Sequence, residues 1–469
     1  MKLNNDYEFW INKIYVVEQK YKTENIKIGN LQIWPILKPQ IFRKGINNKE
    51  VDLNARKKLT ILKTAFFGFK NLLRKDYKYV LFTDTLEKRL INGVYVDKIA
   101  QGILDELGKD NFLIIEKPVH GRHYTINKCQ SNQIVSLNFF YVLAEFLYLI
   151  KMKKVNLKIE GEDILKNILK DLNVDIDYRY ILKVFLSLVK IFENLFKRIR
   201  PKYIFITCYY SLSHQAAIYA AKRKKIKTIE LQHGIINEKH IAYNFFKDFK
   251  DSVLPEHLFV FGDFFKKFFD NGNFFIKNEN VYSVGSYYIE KIKQEKLEDN
   301  IISKIKKSYK RIIVISSQET IEPILLNFII KIAQQDKRNF YIFRPRNIHK
   351  NLKIKDFENF YLSLGEDEDI YKLLKVADIH ATVYSTTCIE SLCFGVPNIM
   401  ININNLSKLH FGKILNNENH TRYVSTVEEF INLVNKWNFN KESIIKFSEY
   451  FYKSNHKLNI RNAINQIGG

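Results

Sequence analysis

The strongest chemical signal in the sequence is a run of small hydroxyl residues that opens a helix directly after an apolar strand. Ser385, Thr386 and Thr387 follow a strand expected to end near Val383, and Glu390 comes one helical turn later. Free N–H groups at a helix N-terminus, together with Ser and Thr hydroxyls, form a cradle for phosphate. Glu390 is within reach of a ribose hydroxyl in that arrangement. A capping box with Thr387 as N-cap and Glu390 as its partner explains the same residues without any ligand.

Two further segments of the same half of the chain supply groups that bind phosphate. Arg344 and Arg346 follow the apolar run 340–343, and arginine holds phosphate through two parallel hydrogen bonds. Ser317 and Gln318 follow the apolar run 311–316 and offer a hydroxyl and an amide. A simple helix cap accounts equally well for these last two residues.

A histidine follows a strand in the first half of the chain. The apolar run 228–231 is followed by Gln232, His233 and Gly234. An imidazole with its ordinary pKa of about 6.5 can bind phosphate or transfer a proton in either protonation state near neutral pH. Gly234 permits a tight turn or a close backbone approach, and Gln232 is predicted to contact the same ligand. A histidine packed inside a turn is the alternative.

Carboxylates at the end of the first strand are candidates for a general base. Asp84 directly follows the strand 79–83, and Glu87 lies three residues later, with His120 as a further candidate. Such a group takes the proton from an attacking hydroxyl. An aspartate after a strand also caps helices routinely, so capping remains an alternative for Asp84.

The elements that must position these residues form two α/β series. Short apolar runs alternate with longer helical patterns, which is typical of parallel strands covered on both faces. The first series has strands at 79–83, 112–116, 203–207, 228–231, 257–261 and 281–284. The second has strands at 311–316, 340–343, near 360, 379–383 and 398–401. The polar stretch 290–310 is interpreted as a linker between two Rossmann-like units, with a ligand cleft between them.

Composition narrows the class of protein. A chain of 469 residues with 46% hydrophobic residues suits two domains rather than one, and four scattered cysteines form no disulfide framework. The formal charge of +25 favours nucleic acid, an anionic membrane surface or phosphorylated ligands as partners. No nucleic-acid-binding motif accompanies that charge, so nucleic acid is not expected as a partner. No secretion signal is recognised, and the apolar run 134–150 is shorter than the roughly 20 residues of a spanning helix.

The helix 181–200 allows two interpretations. Polar residues recur at helical spacing and leave a wide apolar face, which either packs on the sheet or lies as a basic amphipathic face on anionic lipid. With 151–154, it contributes the lysines predicted to hold the protein on a membrane surface, namely Lys151, Lys153, Lys154, Lys183, Lys190 and Lys197.

The segment 369–397 resembles the donor-binding cassette of GT-B glycosyltransferases. The matching features are the approach from Asp369 to Leu374, the pair Ala377-Asp378, the strand, the hydroxyl run with Glu390, and Gly395-Val396-Pro397 before the next strand. The order of Gln232-His233-Gly234, 255–262 and 284–286 is similar to capsule and lipopolysaccharide biosynthesis transferases, including sialyl- and Kdo-transferase-like proteins. The resemblance covers roughly residues 78–430. Arg344-Pro345-Arg346 departs from the His-Pro pair of CMP-sialic-acid-using relatives, which argues against a CMP-linked donor.

The resemblance implies an α/β protein of GT-B architecture, with two Rossmann-like domains facing a cleft. Residues 1–290 would form the acceptor-side domain, 291–440 the nucleotide-sugar-binding domain, and 441–469 a helical segment packing back on the first. The implied activity is transfer of a sugar from a nucleotide-sugar donor to a glycan or lipid-linked acceptor in bacterial surface polysaccharide biosynthesis. It would need no metal or other cofactor, and the protein would be cytoplasmic, at the inner face of the membrane. A polyol-phosphate transferase and a sugar-nucleotide epimerase are the alternatives on the same fold.

Overall fold

The structure is a computed structural model that describes residues 2–47, 55–250, 252–270, 274–296, 300–346, 357–365 and 368–468. The chain divides into two compact units. The first unit is Met1–Val284 together with Asn455–Gly469, and the second is Gly285–Ser454.

The first unit is built on a parallel sheet. Its described strands are β1 Lys27–Ile28, β2 Leu31–Gln32, β3 Tyr79–Asp84, β4 Lys88–Ile91, β5 Val94–Asp97, β6 Phe112–Lys117, β7 Ile134–Ser136, β8 Tyr203–Thr207, β9 Lys227–Leu231, β10 His257–Val260 and β11 Val281–Ser283. Seven of them form a sheet in the order β11-β10-β9-β8-β3-β6-β7, and each neighbouring pair is parallel. The carboxyl ends of these strands therefore lie along one edge of the sheet.

Helices cover this sheet as the alternating pattern predicted. They are α1 Lys2–Lys20, α2 Trp34–Asn47, α3 Ala55–Ala65, α4 Gln101–Leu107, α5 Leu137–Ile150, α6 Glu162–Leu172, α7 Tyr178–Ile199, α8 Leu212–Arg223 and α9 Asp263–Lys267. The broad apolar face of α7, including Leu188, Phe192 and Phe196, is buried in the core. The lipid-facing interpretation of that helix was therefore wrong, because its apolar face is occupied by the protein itself.

Two short antiparallel hairpins were not predicted. β1 pairs with β2, and β4 pairs with β5 shortly after β3, the first strand of the parallel sheet. Only two to four residues form each strand, so the alternation of apolar and polar residues is too brief to recognise in the sequence.

The second unit repeats the architecture with a sheet of its own. Its described elements are α10 Tyr287–Gln294, α11 Asn300–Ser308, β12 Ile312–Ser316, α12 Glu322–Gln335, β13 Phe340–Arg344, β14 Phe360–Leu362, α13 Ile370–Val376, β15 Ile379–Thr382, α14 Thr387–Leu392, β16 Asn398–Ile401, α15 Leu406–Phe411, β17 Thr421–Val424, α16 Val427–Lys436 and α17 Lys441–Ser448. The six strands form a parallel sheet in the order β14-β13-β12-β15-β16-β17. The interpretation of 290–310 as a plain linker was wrong, because its described parts lie largely in α10 and α11.

The last helix, α18 His456–Gly468, belongs to the first unit. His456 Nδ1 lies 2.9 Å from the carbonyl oxygen of Val284, and Arg461 forms an ion pair of 2.6 Å with Glu106. Alternate residues of β3 enter different cores, with Phe82 packed on the α7 side and Leu81 on the side of α4 and α18. This is the period of two expected for a strand covered on both faces.

The α/β class and the two Rossmann-like units are confirmed, whereas the domain roles and the cleft stay predictions. Among the described residues, no helix is long and apolar enough to cross a membrane.

Candidate functional site

The carboxyl edge of the first sheet carries the candidate bases. Asp84 ends β3, and its carboxylate accepts a hydrogen bond of 2.8 Å from the Leu86 amide, which caps a short 3-10 helix. The capping alternative is therefore observed. Glu87, at the end of that helix, forms an ion pair of 3.2 Å with Lys98. Both carboxylates are held in place by their neighbours, and their role in proton transfer stays a prediction.

His233 lies two residues beyond β9 at the same edge. Its Nε2 is 3.2 Å from the Tyr210 hydroxyl, and its buried Nδ1 has no hydrogen-bond partner among the described residues. Burial lowers the pKa of His233 to about 4, while the Asp84 carboxylate opposes this shift and Lys98 adds to it. At neutral pH the imidazole is therefore neutral, which corrects the expectation that both protonation states would be available.

The residues on either side of His233 have structural explanations. The Gln232 side-chain amide donates to the Gly234 carbonyl at 2.7 Å and accepts from the Phe261 amide at 2.7 Å. It thereby joins the loops after β9 and β10. Gly234 is exposed, and a Cβ added there would meet nothing within 4 Å. The backbone bends at Gly234, and ligand contacts by either residue stay predictions.

Buried ionisable groups beneath this edge were missed by the sequence analysis. Glu230 in β9 is fully buried; its carboxyl accepts from the Tyr243 hydroxyl at 2.7 Å and the Tyr209 amide at 3.1 Å. Burial raises the pKa of Glu230 to about 8. A lone acidic residue inside an apolar strand covered on both faces was the available signal, since such a residue is seldom buried without a partner.

A second buried group lies at the end of β6. Glu116 binds the Lys88 ammonium at 2.6 Å and the His123 Nδ1 at 2.7 Å. The His123 ring stacks on Phe67 with centroids 4.2 Å apart. Lys88 comes from the hairpin that the sequence analysis did not find, so this cluster had no signal in the sequence.

The hydroxyl run of the second unit rests on a polar network. Thr387 Oγ1 donates to Ser385 Oγ at 2.8 Å and lies 2.6 Å from Ser316 Oγ, which is itself 2.8 Å from His380 Nε2. His380 Nδ1 in turn lies 2.7 Å from the Asn398 side-chain oxygen. Burial lowers the pKa of His380 to about 4, so this histidine is neutral and structural.

The proposed capping box at α14 is wrong. The N-cap residue is Thr386, whose own side chain makes no capping hydrogen bond, while the Thr387 amide donates to Ser385 Oγ at 3.4 Å. The amides of Cys388 and Ile389 donate to the carbonyls of Ser385 and Thr386 at 3.2 and 2.9 Å. These amides are therefore engaged within the turn, and the exposed Thr386 is the group best placed for a ligand.

Glu390 lies in the first turn of α14. Its carboxylate accepts a long hydrogen bond of 3.5 Å from the Tyr452 hydroxyl. The side chain is half-buried within the second unit. A contact between Glu390 and a ribose stays a prediction.

The two arginines predicted to bind phosphate differ in their surroundings. Arg344 donates to the carbonyls of Ser363 and Gly365 at 3.0 and 2.9 Å, so its guanidinium holds the loop after β14. The Arg346 side chain is exposed, and its amide donates to Glu322 at 2.8 Å. Residue His349, which follows it, lies outside the described residues.

Ser317 and Gln318 complete this edge of the second sheet. The Ser317 amide donates to the Arg344 carbonyl at 3.1 Å, which brings the ends of β12 and β13 together. Both polar atoms of the Gln318 side chain are buried without a hydrogen-bond partner among the described residues. An amide without partners is costly, and a polar ligand at this edge would satisfy it.

No group of three or more His, Cys, Asp or Glu side chains suited to a metal ion occurs in the described part of the chain.

Comparisons with known proteins place the fold. No protein-family model matches the sequence, and no curated protein matches it. Among solved structures, the chain is similar to UDP-GlcNAc 2-epimerase from Neisseria meningitidis bound to UDP-GlcNAc, with 13% identity and a TM-score of 0.50, over 83% of this chain and 99% of that chain. It is also similar to the wall teichoic acid polymerase TagF, with 13% identity and a TM-score of 0.46, over 88% and 98% of the two chains. The glycotransferase of kitacinnamycin has 10% identity and a TM-score of 0.47, over 84% and 99%.

At this identity the similarity concerns the fold alone. The comparison at a TM-score of 0.50 agrees with the two parallel-sheet units described above. The chain is therefore an α/β protein of the GT-B type, with two Rossmann-like units.

Proposed function

We propose that the protein is a glycosyltransferase that moves a sugar from a nucleotide-sugar donor to a glycan or lipid-linked acceptor. The observation that carries the proposal is the hydroxyl run after β15, which a network of hydrogen bonds holds in one conformation. Neutral donors fixed in advance suit the diphosphate of a leaving nucleotide, because little reorganisation is needed as charge develops. The solved structures that share this fold include a transferase, a polymerase and an epimerase bound to a UDP-sugar.

The second unit is proposed to bind the donor. Thr386 contacts the diphosphate from its exposed position, and Ser385 and Thr387 support it from the network below. Gln318, with its unpaired amide, and Arg346 reach toward the same ligand. Glu390 is proposed to bind the ribose. No metal ion is required in this scheme.

The first unit is proposed to act on the acceptor. In an inverting transfer, the acceptor hydroxyl attacks the anomeric carbon, loses its proton to a base, and the nucleotide departs with the bonding electrons. His233 is neutral at neutral pH and has an unpaired nitrogen that can take that proton, provided that the bound acceptor offsets the burial that weakens it as a base. Asp84 stabilises the imidazolium that results, since its charge already raises the pKa of His233. Glu87 forms an ion pair with Lys98, and the charge of Lys98 lowers the pKa of His233.

The biological role proposed is bacterial surface polysaccharide synthesis, as in capsule or lipopolysaccharide formation. The protein would act at the inner face of the cytoplasmic membrane as a peripheral enzyme. The charge of +25 supports this location, because anionic lipid attracts basic surfaces.

A donor screen tests the proposal. The melting temperature is measured with CMP-, UDP-, GDP-, CDP- and dTDP-linked sugars, since a ligand of the native state raises it. We expect one nucleotide class to raise the melting temperature in the wild-type protein and to raise it less in Thr386→Ala. A protein that no nucleotide sugar stabilises would contradict the proposal.

Product analysis then separates the activities on this fold. The stabilising donor is incubated with and without acceptor, and the products are followed by NMR. Consumption of the donor only when an acceptor is present supports transfer. Conversion of the donor by itself identifies an epimerase, and a product that carries phosphate identifies a polyol-phosphate transferase.

A further inference from the structure

Helices α3 and α5 and the turn that follows α3 carry large apolar side chains on the surface of the first unit. We call these side chains the apolar patch. It consists of the exposed residues Leu59, Leu62, Phe66, Phe69, Leu73, Phe146, Leu149 and Ile150, and the half-buried residues Phe139 and Leu143. The exposed members are between 40% and 70% exposed, which is unusual for such a number of large apolar residues in one region.

The patch is continuous across its two helices. The Phe139 ring lies 6.1 Å from the Phe66 ring and 5.1 Å from the Phe69 ring, measured between centroids. Asn138 at the start of α5 donates to the Thr64 hydroxyl of α3 at 2.7 Å. Along α5, Phe139, Leu143, Phe146 and Ile150 follow one another at spacings of three or four residues and so share one face.

The fold fixes the outward position of these aromatic rings. Gly68 has φ +66°, and a Cβ at this position would lie 1.8 Å from the Ile134 carbonyl oxygen. The Ser136 amide donates to the Phe67 carbonyl at 3.1 Å. The turn that holds Phe66 and Phe69 is therefore pressed against β7, which leaves their rings no route into the core.

Basic side chains accompany the patch. Exposed lysines lie between and beside its members, namely Lys63, Lys70, Lys151, Lys153 and Lys154. The single acidic residue of α5, Glu145, accepts a hydrogen bond from the Tyr180 hydroxyl of α7. The surface thus combines apolar side chains with positive charge, which is complementary to an anionic lipid surface.

The length of α5 decides how it meets a bilayer. Its 14 residues measure about 21 Å, which is less than the roughly 30 Å of a hydrocarbon core. A helix of this kind lies in the interface with its apolar face between the headgroups.

We propose that the apolar patch and its five lysines form a docking surface that inserts into the interfacial layer of an anionic bilayer. α5 begins directly after β7 at the carboxyl edge of the sheet, the edge that carries His233. The Thr60 side chain of α3 lies close to Gly121 in the loop after β6 at this edge, since a Cβ added at Gly121 would lie 2.2 Å from Thr60 Cγ2. If the proposed transferase activity holds, the patch would therefore bring the acceptor side of the enzyme to a lipid-linked substrate; lipid binding itself does not depend on that activity.

Vesicle flotation tests the proposal without any substrate. The full chain is mixed with vesicles of phosphatidylcholine alone or of phosphatidylcholine with phosphatidylglycerol, at low and high salt. We expect binding to the anionic vesicles that weakens with salt. Two triple variants should each weaken binding by about tenfold or more. One removes apolar side chains, Phe66→Ser/Phe146→Ser/Leu149→Ser, and the other removes lysines, Lys151→Gln/Lys153→Gln/Lys154→Gln.

Matched controls lie on the same unit outside the patch. Val16→Ser/Leu458→Ser removes exposed apolar side chains elsewhere, and Lys190→Gln/Lys197→Gln removes exposed lysines of α7. Both should bind vesicles as the wild type does. Circular dichroism and melting temperature confirm that every variant is folded.

Three results would overturn the docking surface. In the first, the wild type does not bind vesicles. In the second, the apolar triple variant binds them as the wild type does. In the third, the wild type forms a concentration-dependent dimer, and the triple variant loses the dimer but still binds vesicles. The last result would identify the patch as an interface between two copies of the chain. Because nucleotide-sugar stabilisation is measured separately, failure of lipid binding is distinguishable from failure of the proposed activity.

Discussion

The carboxyl edges of the two sheets are built from different chemistry. In the first unit, ionisable groups are buried: the pKa of His233 is lowered to about 4, as are those of His214 and His240, and that of Glu230 is raised to about 8, in each case chiefly by burial. In the second unit, the corresponding edge is lined by Ser and Thr side chains that hydrogen-bond one another above the neutral His380, with the unpaired amide of Gln318 at the same edge.

The difference indicates two tasks. Groups with perturbed pKa values concentrate where protons are moved, whereas fixed neutral donors suit the binding of an anion. We therefore propose that the same type of sheet carries a proton-transfer edge in one unit and an anion-binding edge in the other. The predictions below test this contrast.

The largest effect is expected at His233. His233→Ala should lower turnover by about 10²-fold or more, because it removes the group proposed to accept the acceptor proton, while donor affinity is unchanged. The measurement is steady-state kinetics beside a donor-binding titration. Near-wild-type turnover would remove His233 from the mechanism.

Asp84→Asn sharpens this test through the pH profile. With the pKa of His233 at about 4, kcat/KM of the wild type should fall at low pH around that value. Asp84 raises this pKa, so its removal should shift the acid limb to lower pH and lower turnover as well. An acid limb that does not move would show that Asp84 does not act through His233.

Glu230→Gln should change how stability depends on pH. The folded carboxyl has a pKa of about 8 and the unfolded one about 4.5, so the folded state holds a proton that the unfolded chain releases. Stability therefore falls as pH rises from about 4.5 to 8, by at most about 1.4 kcal/mol per pH unit.

The buried histidines titrate near pH 6.5 in the unfolded chain, so they change the stability of both proteins equally and cancel in the difference between them. Between about pH 6 and 8, urea denaturation should show the stability of the wild type falling relative to that of Glu230→Gln. Identical pH dependence in both proteins would mean that Glu230 is not held protonated.

Ser385→Ala and Thr386→Ala test which hydroxyl of the second unit contacts the donor and which one only holds the loop in place. Thr386 is exposed, so its loss should weaken donor binding by about 1.5–3 kcal/mol without affecting the melting temperature. Ser385 accepts from Thr387, so its loss should lower both donor affinity and stability, the latter by about 1 kcal/mol. Wild-type donor affinity in both variants would make the cassette purely structural.

The smallest effect is expected at Gly234. Gly234→Ala places a methyl group in open space and should alter the free energy of unfolding by less than about 0.5 kcal/mol. Gln232→Ala, two residues earlier, breaks two hydrogen bonds to backbone groups and should cost about 1–3 kcal/mol. If Gly234→Ala instead abolishes donor binding, the backbone at this position approaches the ligand closely.

The sequence alone determined the class of fold and the location of most strands of the two parallel sheets. Apolar runs such as Tyr203–Thr207 are buried on both faces of a parallel sheet, so they carry a strong signal that depends on no other part of the chain. For the same reason, the ends of β9 and β15 could be recognised as positions for His233 and for the hydroxyl run. Candidate site residues could be predicted from the sequence wherever the strand that precedes them could be predicted.

Only the tertiary structure decided which groups are charged, paired or exposed. The neutral state of His233 and the protonation of Glu230 both follow from burial, and the hydrogen bonds that Glu230 accepts from Tyr243 and Tyr209 act against its protonation. Likewise α7 and α5 are both apolar helices in the sequence, yet α7 is enclosed by the core and α5 keeps one face at the surface. Burial and pairing depend on contacts between residues far apart in the chain, and those contacts exist only once the fold has formed.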